Sequence, residues 1–225
     1  MAARARKSSP VGFVAWPRWS PVRRFRTAAQ STFLLPLISL GYSLEVRGRQ
    51  HLDGLQTPCL VVSNHNMHLD WSMVFRALPR RLRTRTTVAA SAADIFAKRW
   101  RAFLAALMGN AFPFDKQGSG VRESLEQTRH LLEDGWNVLI FPEGKLTAGG
   151  PMQPFKSGIG WVAVRAGVPV LPLRIDILKP GIYEGARWPQ WRGRVRVTIG
   201  KPVEIASHAT YDDAVAQLEQ AIRDA

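Results

Sequence analysis

Two residues in this sequence have the type and spacing for acid–base chemistry: His65 and Asp70, in Val61-Val62-Ser63-Asn64-His65-Asn66-Met67-His68-Leu69-Asp70. The apolar run Leu60 to Val62 stops at Ser63 and Asn64. After Asp70 the period changes, with Trp71, Val74, Phe75 and Leu78 recurring at helical spacing up to Pro79. This reads as a buried strand, a short polar loop and a helix start. A carboxylate at position 70 is favoured there by free N–H groups and the helix dipole. The loop is short enough for Asp70 to fold back and accept a hydrogen bond from one nitrogen of His65. That contact would fix the tautomer and leave the other nitrogen as a base. Such a pair is a triad without its nucleophile, which a substrate would supply.

The elements around this stretch decide what else can reach it. Leu44 to Arg47, Cys59 to Val62, Thr86 to Ala90, Ala111 to Phe114, Val138 to Phe141, Val168 to Ile175 and Arg194 to Ile199 read as strands. Helical spacing covers residues 70–78, 94–107, 121–133, the stretch from Gly158 to Gly167, and 211–223. Pro169 and Pro172 suggest that the strand 168–175 is an edge or carries a bulge. Strands alternating with helices predict an α/β fold: a single domain with a mixed, mostly parallel sheet flanked by helices. Three strand ends carry charge: Asn64-His65 with Asp70, Asp115-Lys116, and Glu143-Gly144-Lys145. In open α/β sheets ligands bind beyond the carboxyl ends of the strands, so these loops are expected to converge.

Composition narrows the classes. A chain of 225 residues suffices for one sizeable core. Net charge is +14 and the pI about 11.1, which suits nucleic acid, anionic lipid or acidic proteins and cofactors. No RNP-like, zinc-finger or helix-turn-helix pattern appears, and the basic residues are dispersed, which argues against nucleic acid. His65, His68 and Asp70 do not match common zinc spacings, so no metal is expected. The single cysteine, Cys59, opens an apolar strand and reads as core. No apolar run approaches the ~18–20 residues needed to cross a bilayer. Phe33 to Leu44 is interrupted by Pro36, Ser39, Gly41 and Ser43, and reads as a packed or interfacial segment. Residues 1–28 form a basic, Pro- and Ser-rich stretch with Trp16 and Trp19, either a membrane-interface segment or a solvated tail; residues 29–225 form the domain. The apolar helix 94–107 carries three readings: wall of a ligand groove, bilayer contact, or plain core.

Asn64-His65-x4-Asp70 resembles the N-H-x4-D motif of the glycerolipid acyltransferases, typified by 1-acylglycerol-3-phosphate acyltransferase. Phe141-Pro142-Glu143-Gly144 resembles that family's F-P-E-G-T-R-S segment. Gly109 to Lys116 resembles the block between, and Pro154-Phe155-Lys156-x-Gly158 and Val168-Pro169-Val170-Leu171-Pro172 resemble the last two segments. All occur in order over about residues 44–200. The resemblance implies a glycerolphosphate acyltransferase-like fold. It implies an O-acyltransferase of phospholipid biosynthesis that moves a fatty acyl group from acyl-CoA or acyl carrier protein to a lysophospholipid hydroxyl, above all that of 1-acylglycerol-3-phosphate. His65 would be the general base and Asp70 its orienting partner, with no cofactor beyond the donor substrate. Asn64, Asp115, Lys116, Glu143, Gly144, Lys145 and Lys156 would be the substrate-binding residues, the lysines meeting phosphate. Without a spanning segment, the enzyme would sit as a peripheral or monotopic protein on the cytoplasmic face of an anionic membrane. Two positions depart from the pattern: Leu146 stands where the family has Arg, with Lys145 before it, and the middle block ends in Lys116 instead of Arg. A different acceptor, a glycolipid or another alcohol, is therefore the alternative. Outside this class, a basic membrane- or nucleic-acid-binding module without catalysis would carry the same charge.

Overall fold

A computed structural model describes residues 15–181 and 192–225. The elements run α1 (Ser20–Ala29), a π-helical turn (Gln30–Leu34), α2 (Leu35–Gly41), β1 (Tyr42–Arg47), β2 (Leu60–Ser63), α3 (Asp70–Ala77) and α4 (Arg80–Arg83). Then follow β3 (Thr86–Ser91), α5 (Arg99–Gly109), β4 (Ala111–Phe114), α6 (Gly120–Glu133), β5 (Asn137–Ile140), α7 (Gly158–Ala166), β6 (Val170–Lys179), β7 (Gly193–Ile199) and α8 (Tyr211–Arg223). The strands form one sheet in the order β1-β7-β6-β2-β5-β3-β4. Every neighbouring pair is parallel except β6–β7. This is the mixed, mostly parallel α/β sheet expected from the alternation of periods.

The central strands are apolar on both faces because both are covered. In β2, Val61 joins a cluster with Met73, Val74 and Phe75 of α3, whereas Leu60 and Val62 join Leu131, Val162 and Leu218 of α6, α7 and α8. Cys59 is fully buried, and burial pushes its thiol up to about 12, so it packs as core. Asn137 supports it by accepting from the Cys59 N–H at 3.0 Å.

The expectation of an edge strand from Pro172 does not hold. β6 lies between β7 and β2. Pro172 accepts from the Gly200 N–H through its carbonyl at 2.9 Å, so its nitrogen also faces the β7 side, where β7 has just ended at Ile199. The missing donor falls past the end of a neighbour and no ladder bond is lost.

The stretch expected as a basic tail divides. Residues 1–14 lie outside the described residues. Residues 15–28 pack on the domain: Trp16 stacks on Phe103 of α5 at 5.5 Å, Pro17 is buried, and the Arg26 guanidinium donates to the Pro17 carbonyl at 2.6 Å. Burial lowers Arg26 to about 10. Gln30, in the π turn, donates to the Met108 carbonyl at 2.5 Å. Helical backbone thus continues across residue 28 into α2.

The helix expected from residue 94 begins at Arg99, because the Ile95 and Phe96 N–H groups turn back to the Ser91 carbonyl. Its large apolar side chains are not core: Trp100, Phe103 and Leu104 are exposed, as are Trp19, Phe25, Phe33, Leu37 and Leu40 on the N-terminal helices. Among the described residues no helix is long and apolar enough to cross a membrane.

Candidate active site

His65 is the second residue past the end of β2, and Asp70 is the first residue of α3. The chain between them makes a single tight loop around one carboxylate oxygen. Asp70 Oδ2 accepts from the Asn66 N–H at 2.6 Å, the Met67 N–H at 3.0 Å and His65 Nδ1 at 2.8 Å. A carboxylate only accepts, so Nδ1 carries the proton and Nε2 keeps its lone pair. The imidazole is a quarter exposed and stacks on Phe141 at 4.6 Å, while Asp70 is fully buried. Burial raises the Asp70 pKa, and its bonds to His65, Met67 and Asn66 oppose that rise without cancelling it. Oδ1 of Asp70 has no hydrogen-bond partner among the described residues.

The asparagines beside His65 anchor the loop to β6. Ile175 lies two residues beyond Leu173, the last β6 residue paired with β2. Its free edge is taken by Asn64, whose amide donates to the Ile175 carbonyl at 2.9 Å and accepts from its N–H at 2.7 Å. Asn64 thus continues the ladder with a side chain. Expected to bind substrate, it is buried and spent on backbone. Asn66 donates to the same carbonyl at 2.5 Å.

Glu143 differs from expectation in the same way. It follows β5, is almost fully buried, and accepts from the His65 N–H at 2.6 Å and the Gln153 N–H at 2.7 Å. Burial raises its pKa against these two bonds. Instead of facing an acceptor, it ties the loop after β2 to two points of the β5–α7 connection, because a buried carboxylate is tolerated only where backbone donors meet it. Asp115 is also turned inward: its carboxylate lies against Gly120 at the start of α6, where negative charge is favoured, and its N–H donates to Ser124 Oγ at 2.9 Å.

The lysines do converge. Gly144 turns at φ 69°, a backbone conformation glycine enters without strain. Lys116 Nζ donates to the Gly144 carbonyl at 3.1 Å. A Cβ built on Gly144 would stand 3.9 Å from Lys116 Cδ and 4.0 Å from Lys156 Cε, so two cationic stems flank one glycine. The Lys156 N–H donates to the Pro142 carbonyl at 3.0 Å, which brings that loop alongside. Lys145 is exposed next to them. His68 is exposed, and among the described residues no group of three or more His, Cys, Asp or Glu comes together.

A buried carboxylate thus holds a strand-end histidine, with cationic side chains on the adjoining loops. The family model described as Acyltransferase matches residues 43–176, more than half of the chain. The chain belongs to the acyltransferase family. The mouse 1-acyl-sn-glycerol-3-phosphate acyltransferase alpha is 30% identical over 188 residues, 81% of this chain and 62% of the mouse protein. The 1-acyl-sn-glycerol-3-phosphate acyltransferase of Pseudomonas aeruginosa is 28% identical over 191 residues, 83% of this chain and 68% of that protein. For the chloroplastic BAT2 enzyme of Brassica napus the figures are 27% over 164 residues, 72% and 45%. Against the plant and mouse proteins the chain spans about half of the relative's length. The crystal structure of the Thermotoga maritima acyltransferase PlsC superposes with a TM-score of 0.61 at 21% identity, covering 91% of this chain and 76% of that one; the two share the fold.

Several contacts of this candidate site escaped the sequence reading. Thr147 donates its N–H to the His65 carbonyl at 2.9 Å and its hydroxyl to Asn66 Oδ1 at 2.5 Å. Phe141 supplies the ring under His65, and Gln153 the second donor to Glu143. Phe141 was read only as part of the Phe141–Gly144 segment, and Thr147 and Gln153 have no local signal. Each is a partner from another loop, some 76 to 88 positions away in sequence from His65 by subtraction of residue numbers.

Proposed function

We propose that this chain is an O-acyltransferase that moves a fatty acyl group from a thioester, acyl-CoA or acyl carrier protein, to the free hydroxyl of 1-acylglycerol-3-phosphate. The observation carrying the reading is the His65–Asp70 contact, with Nε2 left as the available base. His65 takes the hydroxyl proton as the oxygen attacks the thioester carbonyl. Asp70 holds the ring and stabilises the imidazolium. The new C–O bond forms, the C–S bond breaks, and the thiolate leaves and recovers a proton from the imidazolium or from water. A thiolate is a good leaving group, so the step runs without a covalent enzyme intermediate. Lys116 and Lys156 hold the acceptor's phosphate over Gly144, with Lys145 beside them. Lysine meets phosphate as a point charge where a planar arginine fork would meet it bidentately.

The exposed apolar side chains of α1, the π turn, α2 and α5 meet the bilayer, and the enzyme works as a peripheral or monotopic protein drawing its acceptor from that surface. Relatives named for the same acceptor support the phosphate reading. The experiment is an acyl-transfer assay with acyl-CoA and acyl carrier protein as donors, over a panel of lysolipids and phosphate-free alcohols. The expected result is preference for 1-acylglycerol-3-phosphate and a loss of about 10²–10⁴-fold in His65→Ala, the usual effect of removing a general base. A folded His65→Ala variant with near-wild-type turnover refutes the chemistry. Preference for a phosphate-free alcohol refutes the acceptor and leaves the chemistry standing.

A further inference from the structure

A second basic site lies away from the chemistry. The face of α1 that turns from the bilayer side chains meets α4 and the loop after it, enclosing a cavity of about 510 Å³. Its lining includes Arg23, Arg24, Arg80, Arg81 and Arg85 and no carboxylate. None of these five forms an ion pair among the described residues. Two are held: Arg81 donates to the Leu52 carbonyl at 2.6 Å, and Arg85 lies over the Trp136 ring at 5.6 Å. The crowding is felt next door, since Arg23 helps to lower Arg26, and Arg80 helps to lower Arg83, in both cases after burial. The first fourteen residues of the chain bring Arg4, Arg6 and Lys7 and no acidic side chain, so they offer nothing to neutralise it.

We propose that this groove between α1 and α4 binds the phosphate of an anionic phospholipid headgroup, a bilayer lipid distinct from the one that reacts at His65. Position separates the two. Arg85 immediately precedes β3, whereas the acyl-transfer site forms past the last residues of β2, β4 and β5, which run parallel to β3. Six strand residues at ~3.3 Å each put the groove about 20 Å from that end of the sheet. In a lysophospholipid acceptor the phosphate is only a few bonds from the reacting hydroxyl, so one lipid cannot serve both places. The ligand chemistry follows from the lining, because guanidinium forks match phosphate oxygens. A lipid source, in preference to free phosphate, follows from the surroundings. Trp19 and Phe25, on or next to α1, are exposed within five residues of Arg23 and Arg24 and would enter the bilayer interface, setting the groove at headgroup depth.

The test uses the full chain and phosphatidylcholine vesicles with and without phosphatidylglycerol, a lipid with no role in the proposed reaction. Binding is read by sedimentation, so failure of the acyl-transfer reading would not disturb it. Arg24→Gln/Arg80→Gln removes two exposed groove charges whose side chains make no hydrogen bond among the described residues, and unchanged thermal unfolding checks the fold. Two charge-matched pairs are compared: Arg99→Gln/Arg101→Gln on the apolar helix α5, and Arg49→Gln/Lys201→Gln on the surface elsewhere. The groove pair should lose roughly 30-fold of binding to phosphatidylglycerol vesicles, the scale of two charges at an anionic surface. The other pairs should lose less. An equal loss in Arg99→Gln/Arg101→Gln means a diffuse field and overturns the site. Full competition by millimolar inorganic phosphate assigns the groove to the free ion. An RNA oligonucleotide retained by wild type and lost in the groove pair, with vesicle binding unchanged, assigns it to nucleic acid. Either result overturns the lipid proposal.

Discussion

One oxygen of Asp70 accepts three donors while the other accepts none, and the whole side chain is out of water. That asymmetry fixes the imidazole and leaves a mark on stability. A raised carboxylate pKa means that the folded state keeps its proton to a higher pH than the unfolded chain, which releases it near ~3.9. Between those values the folded state binds more protons, so the contribution of Asp70 to stability falls as pH rises. Asp70→Asn abolishes that titration. Relative to wild type the variant should gain stability as pH rises above about 4, while acyl transfer collapses at every pH. Urea midpoints across that range check it, and wild-type and variant curves that stay parallel would refute the linkage. At the same scale, Lys116→Ala and Lys156→Ala should each raise KM for lysophosphatidate, with kcat less affected if the phosphate contact is equal in ground and transition states. A phosphate-free alcohol should be indifferent to both. Equal KM changes for the two acceptors would show that the lysines shape the pocket without holding phosphate.

The elements that carry these residues were legible to different depths. β2, α3 and the loop between them follow from an apolar run that ends in Ser63-Asn64 and a helical period that starts at Asp70, and that local signal was enough to place His65 beside Asp70. Glu143 was legible as a strand-end residue, but its use was not, because the donors it meets are His65 on the loop after β2 and Gln153 ten residues further along its own connection, and neither pairing has a local signal. Pro172 misled because the sequence shows a missing N–H and not which neighbour has ended beside it. Gly160 was equally silent. It lies where α7 crosses the start of α8, and a Cβ there would collide with the Tyr211 carbonyl and stand 3.0 Å from Val215 Cγ2. Backbone cannot give way as a side-chain tip can, so Gly160→Ala should cost about 1–3 kcal/mol in chemical denaturation. α8 also accepts the Phe155 N–H through Glu219 at 2.7 Å, next to Lys156. The same variant should therefore raise KM for the acceptor before it lowers kcat. A variant as stable as wild type would mean that the two helices slide apart freely.

At the scale of the molecule, charge and apolar exposure act together. The chain carries +14, and Trp19, Phe25, Phe33, Leu37 and Leu40 stand out from the N-terminal helices while Trp100, Phe103 and Leu104 stand out from α5. The Trp16–Phe103 stack brings α5 against the residues that precede α1. Membrane binding should then have two separable parts. Coulomb attraction to an anionic surface is screened over about 8–10 Å at physiological salt and fades as salt rises. Burial of apolar side chains at roughly 25 cal/mol per Å² does not fade. Replacing Phe33 and Leu40 by Ser should weaken vesicle binding by a similar factor at low and high salt. Wild type should lose affinity with salt down to a residual level set by those side chains. Because the proposed acceptor is itself a membrane lipid, the double variant should lose activity on vesicle-borne substrate and keep it on substrate dispersed in detergent. If Phe33→Ser/Leu40→Ser binds and turns over vesicle substrate as wild type does at high salt, the exposed apolar side chains are not the membrane contact, and charge alone brings the enzyme to its lipid.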